Sequence, residues 1–211
     1  MTQVIKAKDL KGDIIQKIYN SLRNGEVIAY PTDTIYGLGV DVFSQEGIER
    51  LSILKGRDVN KPFSVLYKSK GELLKDFDGV LNFYQKEFVE KLLPGKITLV
   101  LPVPENKKFP QELIKDGFIG VRVVNVSVVS ELLRDFENPI TTTSVNPAGK
   151  PPAKNLTEIL KYFDKKLSFV IYTGYVRKPS VSTVIKVTES DFQILREGAV
   201  SIFEIINKIK K

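Results

Sequence analysis

The sequence predicts an α/β protein with a substantial mixed parallel and antiparallel sheet. Patterns typical of strands alternate with patterns typical of helices along most of the chain, which favours a sheet flanked by helices. Helices do not follow every predicted strand, so some neighbouring strands should be antiparallel. The 211 residues contain no long linker, low-complexity stretch or internal repeat. We therefore predict one domain over residues 1–211.

The predicted helices rest on apolar periodicity and on capping residues. Apolar residues from Ile14 to Leu22 recur at helical spacing, and Asn24-Gly25 should end that helix. Ser44 should cap a second helix that ends near Gly56. We predict further helices over 71–77, 81–92, 128–136, 157–163 and 202–209.

The predicted strands are short runs of apolar and β-branched residues. The first, over 27–30, is stopped by Pro31, and another over 97–101 follows a Pro-Gly turn. The remaining strands are predicted over 63–67, 119–124, 140–143, 169–172, 181–187 and 192–195.

Cysteine and histidine are both absent from the sequence. Their absence excludes disulfides, thiol nucleophiles, Cys/His zinc sites and any triad or base that uses an imidazole. Chemistry must therefore use Lys, Arg, Asp, Glu, Ser, Thr, Asn or Tyr. A metal would be a hard cation held by oxygen atoms and by substrate phosphates.

The net charge of +7 favours anionic partners such as nucleotides or RNA. A lysine-rich composition of the thermophile type is the alternative source of this charge. No apolar run is as long as a membrane span, and the N-terminus lacks the apolar segment of a secretory signal. We therefore expect a cytoplasmic protein with no membrane partner.

Two short polar clusters are the strongest candidates for a site. They are Lys55-Gly56-Arg57, followed by NKPF at 60–63, and Thr142-Thr143-Ser144-Val145-Asn146. A fold that joins them would make a pocket with several cations and neutral hydrogen-bonding groups, which suits a polyphosphate and a carboxylate. The alternative for Lys55 is a simple helix-terminal cation that complements the helix dipole.

The segment PTDTIYGLG at 31–39 directly follows a predicted strand. Thr32 and Thr34 should point to one side and Asp33 to the other. The Gly-Leu-Gly is expected to allow a tight turn and the close approach of a ligand to backbone N–H groups. An ordinary turn from strand to helix is the alternative.

Polar side chains also occur inside or at the ends of apolar strands. Arg122 lies in the strand GVRV, and it should face a pocket or pair with an acid because burying an unpaired guanidinium is costly. Ser182 in STVI and Arg196 in ILREGA repeat this pattern near strand ends.

Taken in order, these segments resemble the YrdC-like family of threonylcarbamoyl-adenylate synthases in its short, single-domain form. The resemblance runs from about residue 25 to residue 200 and rests on the joint K-x-R and S-x-N signature and on collinear blocks. The blocks are PTDTIYGLG (31–39), KGR with NKPF (55–63), LPGKITLVL (93–101), GVRV (120–123), TTSVN with GKPP (142–152), STVI (182–185) and ILREGA (194–199).

The resemblance implies a twisted mixed sheet with a deep, basic concave face. It also implies a nucleotidyltransferase that forms threonylcarbamoyl-AMP and pyrophosphate from L-threonine, bicarbonate and ATP, with Mg²⁺ accompanying the ATP. The product would serve the threonylcarbamoyladenosine modification of tRNA. Protein partners in that modification are also expected.

The same resemblance assigns roles to individual residues. Lys55, Arg57, Ser144 and Asn146 are expected to be catalytic, around the nucleotide phosphates. ATP binding is assigned to Arg57, Lys61, Ser144, Asn146 and Arg196, and threonine binding to Thr34, Arg122 and Ser182. No protein metal ligand is implied.

The sequence departs from the family pattern at three places. Leu66 stands where many members carry a histidine that contacts threonine, Lys96 replaces a proline, and Ala148 replaces a hydroxyl residue. Together with the positive charge, the departures at Leu66 and Ala148 support an alternative, a module that binds double-stranded RNA or tRNA with little catalysis. The sequence predicts neither an oligomeric state nor a general base.

Overall fold

A computed structural model of the chain describes residues 1–56, 61–174, 176 and 179–210. Seven α-helices occur in this part of the chain: α1 (Asp13–Arg23), α2 (Gln45–Lys55), α3 (Lys70–Asp76), α4 (Phe83–Leu92), α5 (Ser127–Leu133), α6 (Leu156–Phe163) and α7 (Ile202–Ile209). The strands are β1 (Gln3–Lys6), β2 (Ile28–Tyr30), β3 (Gly37–Gly39), β4 (Ser64–Tyr67), β5 (Ile97–Pro102), β6 (Ile114–Lys115), β7 (Phe118–Val123), β8 (Ile140–Ser144), β9 (Phe169–Tyr172), β10 (Thr183–Val187) and β11 (Phe192–Arg196).

The described strands form one mixed sheet, as predicted. Its order is β1-β9-β2-β3-β8-β4-β7-β5-β10-β11, with β6 paired to β7. The sheet contains parallel pairs, such as β4 with β7, and antiparallel pairs, such as β4 with β8. The fold class predicted from the alternation of elements is therefore confirmed.

The capping signals placed the second helix correctly. The Ser44 side chain accepts a hydrogen bond from the backbone N–H of Gly47 at 3.1 Å and begins α2. Gly56, with φ of 53°, ends the helix in the left-handed conformation that glycine adopts without strain. These two caps fix Lys55 as the last residue of α2.

The expectation of a tight turn at Gly-Leu-Gly was wrong, because residues 37–39 form the buried strand β3. The strand pairs with β2 on one side and with β8 on the other. A Cβ atom at Gly39 would lie 2.8 Å from Cε1 of Tyr30, so the glycine makes room for that buried ring. Strands β1 and β6 were also not predicted from the sequence.

Both faces of the sheet are covered by helices, but unequally. Helices α2, α3, α4, α6 and α7 contribute to one apolar cluster, and α1 and α5 contribute to the other. In the second cluster, the fully buried strand residues come from β2, β4, β8 and β9. Within the described residues, β5, β10 and β11 add none. Helices α1 and α5 therefore leave part of their face of the sheet open.

The open part of this face carries the polar residues of the strands. Side chains alternate along β7, so Val121 packs into the core while Arg122 points the other way. Strand β5 does the same with Leu99 and Thr98, and β10 with Ile185 and Val184. A cavity consequently forms over β5, β7 and β10.

Candidate functional site

The cavity over the open sheet has a volume of about 690 Å³. Its wall includes residues of both polar clusters that the sequence singled out, and also the threonines that follow β2. Among the described residues that line it, Asp116 is acidic and six are cationic: Lys55, Lys61, Lys115, Arg122, Lys186 and Arg196. This charge distribution favours an anionic ligand.

Lys55 joins the two clusters at one end of the cavity. Its ammonium group donates hydrogen bonds to the backbone carbonyls of Ser144 at 2.7 Å and Asn146 at 2.6 Å. Ser144 Oγ and Asn146 Oδ1 lie slightly further away, at 3.4 and 3.3 Å. The segments are 89 and 91 positions apart in sequence, so the predicted convergence of the clusters is confirmed.

The loop after β8 is held by further hydrogen bonds around this ammonium group. The Asn146 side-chain amide donates to the carbonyls of Pro147 at 2.9 Å and Lys150 at 2.8 Å. The backbone N–H of Ala148 donates to the carbonyl of Lys55 at 2.8 Å. The Asn146 side chain therefore faces its own loop, whereas Ser144 and Ala148 line the cavity.

Arg57 lies outside the described residues, so its place beside the phosphates stays a prediction. Lys61 lines the cavity and is exposed. The roles assigned to Lys55, Ser144 and Asn146 toward a nucleotide also stay predictions, although these three residues do lie together.

Arg122 is also a buried cation of the cavity wall, but it contacts a carboxylate rather than backbone carbonyls. Its guanidinium Nη2 donates to Asp33 Oδ1 at 2.8 Å and lies 3.4 Å from Thr34 Oγ1. Only 8% of the Arg122 side chain and 10% of the Asp33 side chain are exposed. Arg122 thus both pairs with an acid and lines the cavity, so the two alternatives predicted for it occur together.

Thr32 and Thr34 lie on the same side of their segment, as predicted. Their hydroxyl oxygens are 2.9 Å apart and share a hydrogen bond. Asp33 was expected on the other side, but it contacts the same guanidinium group that Thr34 approaches. The segment bends between β2 and β3, so the alternation expected of an extended chain does not hold.

A small hydroxyl network lies beside this pair. Ser182 and Thr98 share a hydrogen bond of 2.8 Å. Arg196 donates from Nη2 to the Ser182 carbonyl at 2.9 Å and to Ser182 Oγ at 3.1 Å. Burial, followed by the nearby charge of Arg122, lowers the pKa of Arg196. Two arginines that repel each other would both gain from a bound anion.

Thr98 and Asp33 were not assigned a role from sequence. Thr98 carried the same signal as Arg122, a polar residue at an alternating position of an apolar strand. Leu66, in contrast, lies fully buried in the apolar cluster beneath α1 and α5 and does not line the cavity. Leu66 is the partner of Arg122 across β4 and β7.

The described residues include no group of three or more Asp, Glu, Cys or His side chains that could hold a metal ion. No helix in the described ranges is both long and apolar enough to span a membrane.

Comparison with known proteins gives both sequence and structural relatives. The Sua5, YciO and YrdC family model, described as telomere recombination, matches residues 20–198. A threonylcarbamoyl-AMP synthase of Photobacterium profundum is 35% identical over 192 residues, which cover 88% of this chain and the whole relative.

Two solved structures have the same fold. Sua5 of Pyrococcus abyssi, complexed with L-threonine, superposes with a TM-score of 0.87 at 27% identity. The match covers 99% of this chain but 60% of the Sua5 chain. YciO of E. coli matches with a TM-score of 0.83 at 23% identity, over 97% of this chain and all of YciO.

Proposed function

The chain belongs to the Sua5, YciO and YrdC family, and from this premise we propose that it is a threonylcarbamoyl-AMP synthase. Relatives named for this activity match most of its length at 33–35% identity. The substrates would be ATP, L-threonine and bicarbonate, and the enzyme would act as a nucleotidyltransferase in the cytoplasm. This reaction needs no nucleophile from the protein, so the lack of cysteine and histidine is no obstacle.

One observation carries the proposal: the two distant polar clusters meet through the Lys55 ammonium group at the wall of a cationic cavity. A volume of about 690 Å³ lies in the usual range for ligand sites and suits a nucleotide together with a small amino acid. The two groups of assigned residues lie in the same cavity, so a carbamate formed on threonine could reach the α-phosphate without leaving the protein.

The residues of the cavity would act by positioning and charge stabilisation. Lys61, Ser144 and Arg196 line the wall where phosphates would bind, and Arg122 and Thr34 would hold the threonine carboxylate and its neighbourhood. The threonine nitrogen, as the neutral amine, attacks the carbon of bicarbonate, whose hydroxyl group leaves as water. A carbamate oxygen then attacks the α-phosphorus while pyrophosphate leaves. Cations beside the phosphates would stabilise the charge that develops on the departing pyrophosphate.

Mg²⁺ would enter with ATP as part of the substrate. Asp116 is the acidic side chain among the described lining residues. One carboxylate fits an ion that keeps most of its ligands as phosphate oxygens and water, but does not build a resident metal centre. We therefore assign the ion to the triphosphate. Lys61 and Arg196 would share its role in neutralising charge.

Transfer of the product to tRNA, and any protein partner in that transfer, also belong to the proposal. The basic lining of the cavity supports an anionic acceptor near its mouth. If tRNA binds directly, its affinity should fall steeply as salt concentration rises, because phosphate contacts release counterions. A filter-binding series in rising salt tests this, and affinity that does not change with salt would contradict it.

The decisive experiment measures pyrophosphate release by the purified protein with ATP, L-threonine and bicarbonate, and with each omitted in turn. We expect release only in the complete mixture and a loss in the Ser144→Ala variant. Ser130→Ala is the matched control, because Ser130 lies exposed on α5. Release without threonine or bicarbonate, or none in the complete mixture, would refute the proposal.

A further inference from the structure

One side chain on the floor of the cavity has an unused hydroxyl group. Ser64 begins β4, is half-buried and lines the cavity. Its Oγ makes no hydrogen bond to a described residue, and it is not among the buried atoms without a partner, which are Asp33 Oδ2 and Arg122 Nε. The hydroxyl is therefore accessible from the cavity, with a donor and an acceptor free for a ligand.

The hydroxyl groups at the two ends of the cavity differ from that of Ser64, because they already have protein contacts. Thr98 and Ser182 share a hydrogen bond of 2.8 Å at one end, and Ser144 Oγ lies 3.4 Å from the Lys55 ammonium group at the other. These contacts shape the walls, whereas the Ser64 hydroxyl contacts no other side chain of the described structure. Since polar groups that leave bulk water are usually paired, this free hydroxyl indicates a ligand contact.

The sheet register places Ser64 level with two neighbours that also face the cavity. In the antiparallel pair of β4 with β8, Ser64 is the partner of Thr142. In the parallel pair of β4 with β7, Val65 is the partner of Val121, so Ser64 lies level with Gly120, one residue earlier on both strands. Thr142, Ser64 and Gly120 thus form one row across the cavity floor.

The two groups of assigned residues lie on opposite sides of this row. Strands β7 and β8 run in opposite directions, because β4 is parallel to the first and antiparallel to the second. Two residues beyond the row, β7 reaches Arg122 and β8 reaches Ser144. These two residues are therefore displaced from the row in opposite directions, each by about 7 Å along its strand. The row that contains Ser64 consequently lies between the amino-acid end and the phosphate end of the cavity.

The proposed reaction requires one carbon atom between these two ends. It joins the threonine nitrogen to the α-phosphate through the carbon and an oxygen of bicarbonate. A threonine carboxylate held by Arg122 and a triphosphate held beside Ser144 leave this carbon to lie over the middle row. The Ser64 hydroxyl is the free donor on that part of the described floor, and a hydrogen bond to an anion is stronger than one between neutral groups.

Gly120 leaves the floor bare beside the Ser64 hydroxyl. A Cβ atom on Gly120 would lie 3.0 Å from Ser64 Oγ and 3.5 Å from Thr98 Cγ2. A larger residue would therefore crowd Ser64, whereas glycine allows a ligand to approach the backbone closely. Bicarbonate is small and planar, so it fits a flat surface with a hydroxyl donor at its edge.

We propose that Ser64 binds bicarbonate, with its hydroxyl donating to an oxygen of the anion while the anion lies over Gly120. This inference rests on the function proposed above. It gives a site to bicarbonate, the substrate to which the sequence assigned no residue. Ser64 holds the bicarbonate carbon between the threonine nitrogen and the α-phosphate, so its contribution is the orientation of the reacting groups.

The first test measures initial rates of pyrophosphate release under argon in buffer depleted of bicarbonate, to which each substrate is then added at varied concentration. In Ser64→Ala, we expect kcat/KM for bicarbonate to fall at least about tenfold, because a hydrogen bond to a charged group is lost. KM for threonine and KM for ATP should each change less than about threefold. An unchanged kcat/KM for bicarbonate, or an equal or larger effect on threonine or ATP, would overturn the proposal.

Thermal stability distinguishes a binding role of Ser64 from a structural one. Its hydroxyl has no partner in the described residues, so Ser64→Ala should have the same midpoint of thermal unfolding as the wild type. Ser130→Ala, on the exposed side of α5, is the matched control and should retain both the midpoint and kcat/KM for bicarbonate. A lower midpoint in Ser64→Ala, with a loss for all three substrates, would mean that Ser64 supports the fold and would overturn the proposal.

Gly120→Ala is a second variant, which tests the same site without removing the hydroxyl. Its Cβ would fill the space beside Ser64 Oγ. We expect kcat/KM for bicarbonate to fall at least about tenfold again, while KM for threonine and KM for ATP change less than about threefold. Gly71→Ala is the matched control, because Gly71 lies exposed in α3 and a Cβ there would be 3.8 Å from Ser69 Oγ. Wild-type kinetics in Gly120→Ala would contradict a bicarbonate site at this position.

The same assay separates this inference from the proposed function. If the wild type releases no pyrophosphate from the complete mixture, the proposed function fails, and the bicarbonate site fails with it. If the wild type is active and Ser64→Ala keeps its kcat/KM for bicarbonate, the proposed function stands and the role of Ser64 alone is refuted.

Discussion

The two ends of the cavity each contain a buried cation, but the cations are paired very differently. Lys55 is 5% exposed and Arg122 is 6% exposed. The Lys55 ammonium has three N–H groups and has four oxygens of Ser144 and Asn146 within 3.4 Å. Arg122 has five N–H groups and one short contact, and its Nε has no partner. The ammonium group, whose donors are all used, therefore shapes the cavity, and the guanidinium, which keeps donors unused beyond its ion pair with Asp33, is available to a substrate.

The largest expected effect is that of Lys55→Met, which removes the ammonium group and keeps the length of the side chain. The carbonyls of Ser144 and Asn146 would lose their buried donor, so the free energy of unfolding should fall by about 2–4 kcal/mol. Because the loop would shift, pyrophosphate formation should fall at least about 100-fold. Urea denaturation and steady-state kinetics measure the two effects.

Lys61→Met serves as the control for this substitution, because Lys61 is an exposed cation of the same cavity. Its free energy of unfolding should change by less than about 0.5 kcal/mol. If Lys55→Met were as stable as Lys61→Met, the view that Lys55 holds the loop would be wrong.

Arg122→Lys comes next, because it retains the charge but removes Nε and the planar fork. We expect kcat/KM for threonine to fall about 10–100-fold, while KM for ATP changes less than about threefold. Initial rates with each substrate varied separately provide the test. An equal increase of both KM values would mean that the arginine supports the whole cavity rather than the amino-acid end.

Ser182→Ala should have a moderate effect on the network beside Arg122. It removes the hydroxyl that forms hydrogen bonds with both Thr98 and Arg196. One such hydrogen bond typically stabilises a protein by about 1 kcal/mol. We expect kcat/KM for threonine to fall about fivefold at that energy. Ser130→Ala on α5 should leave this parameter unchanged, and an identical decrease in both variants would contradict the assignment.

The smallest expected effect is the dependence of the unfolding free energy on pH. Burial raises the pKa of Asp33 in the folded state above its unfolded value, so the folded protein holds this proton more tightly. The resulting stabilisation is complete below the unfolded pKa and is lost as the pH rises through the folded pKa. The unfolding free energy of the wild type, relative to that of Asp33→Asn, should therefore decrease across this window. A difference that increases with pH would contradict the sign of the shift.

Local signals were sufficient for the helices and for most strands. The caps at Ser44 and Gly56 placed α2 within one residue, because capping depends on neighbours in sequence. Strand β3 was missed because its three residues pair with β2 and β8, and Gly-Leu-Gly carries no strand signal of its own. Pairing with β8, which lies more than a hundred residues further along the chain, decides the structure of β3.

The candidate site likewise contains residues that local patterns predict and contacts that they do not. Arg122 was recognisable, because a guanidinium in an apolar strand must find a partner or a pocket. The contact of Lys55 with residues 144–146 could not be calculated from local patterns, and the resemblance to a family supplied it. Asp33 was visible within its motif, but its unpaired oxygen becomes evident only when the position of Arg122 is known.

The most direct measurement of the difference between the two ends is a threonine titration followed by NMR of ¹⁵N-labelled protein. The Nε–H signal of Arg122, identified by its loss in Arg122→Lys, should shift as threonine binds. The backbone N–H of Ala148, which is bonded to the Lys55 carbonyl, should hardly move. A shift at Ala148 with an unchanged Arg122 signal would contradict the account.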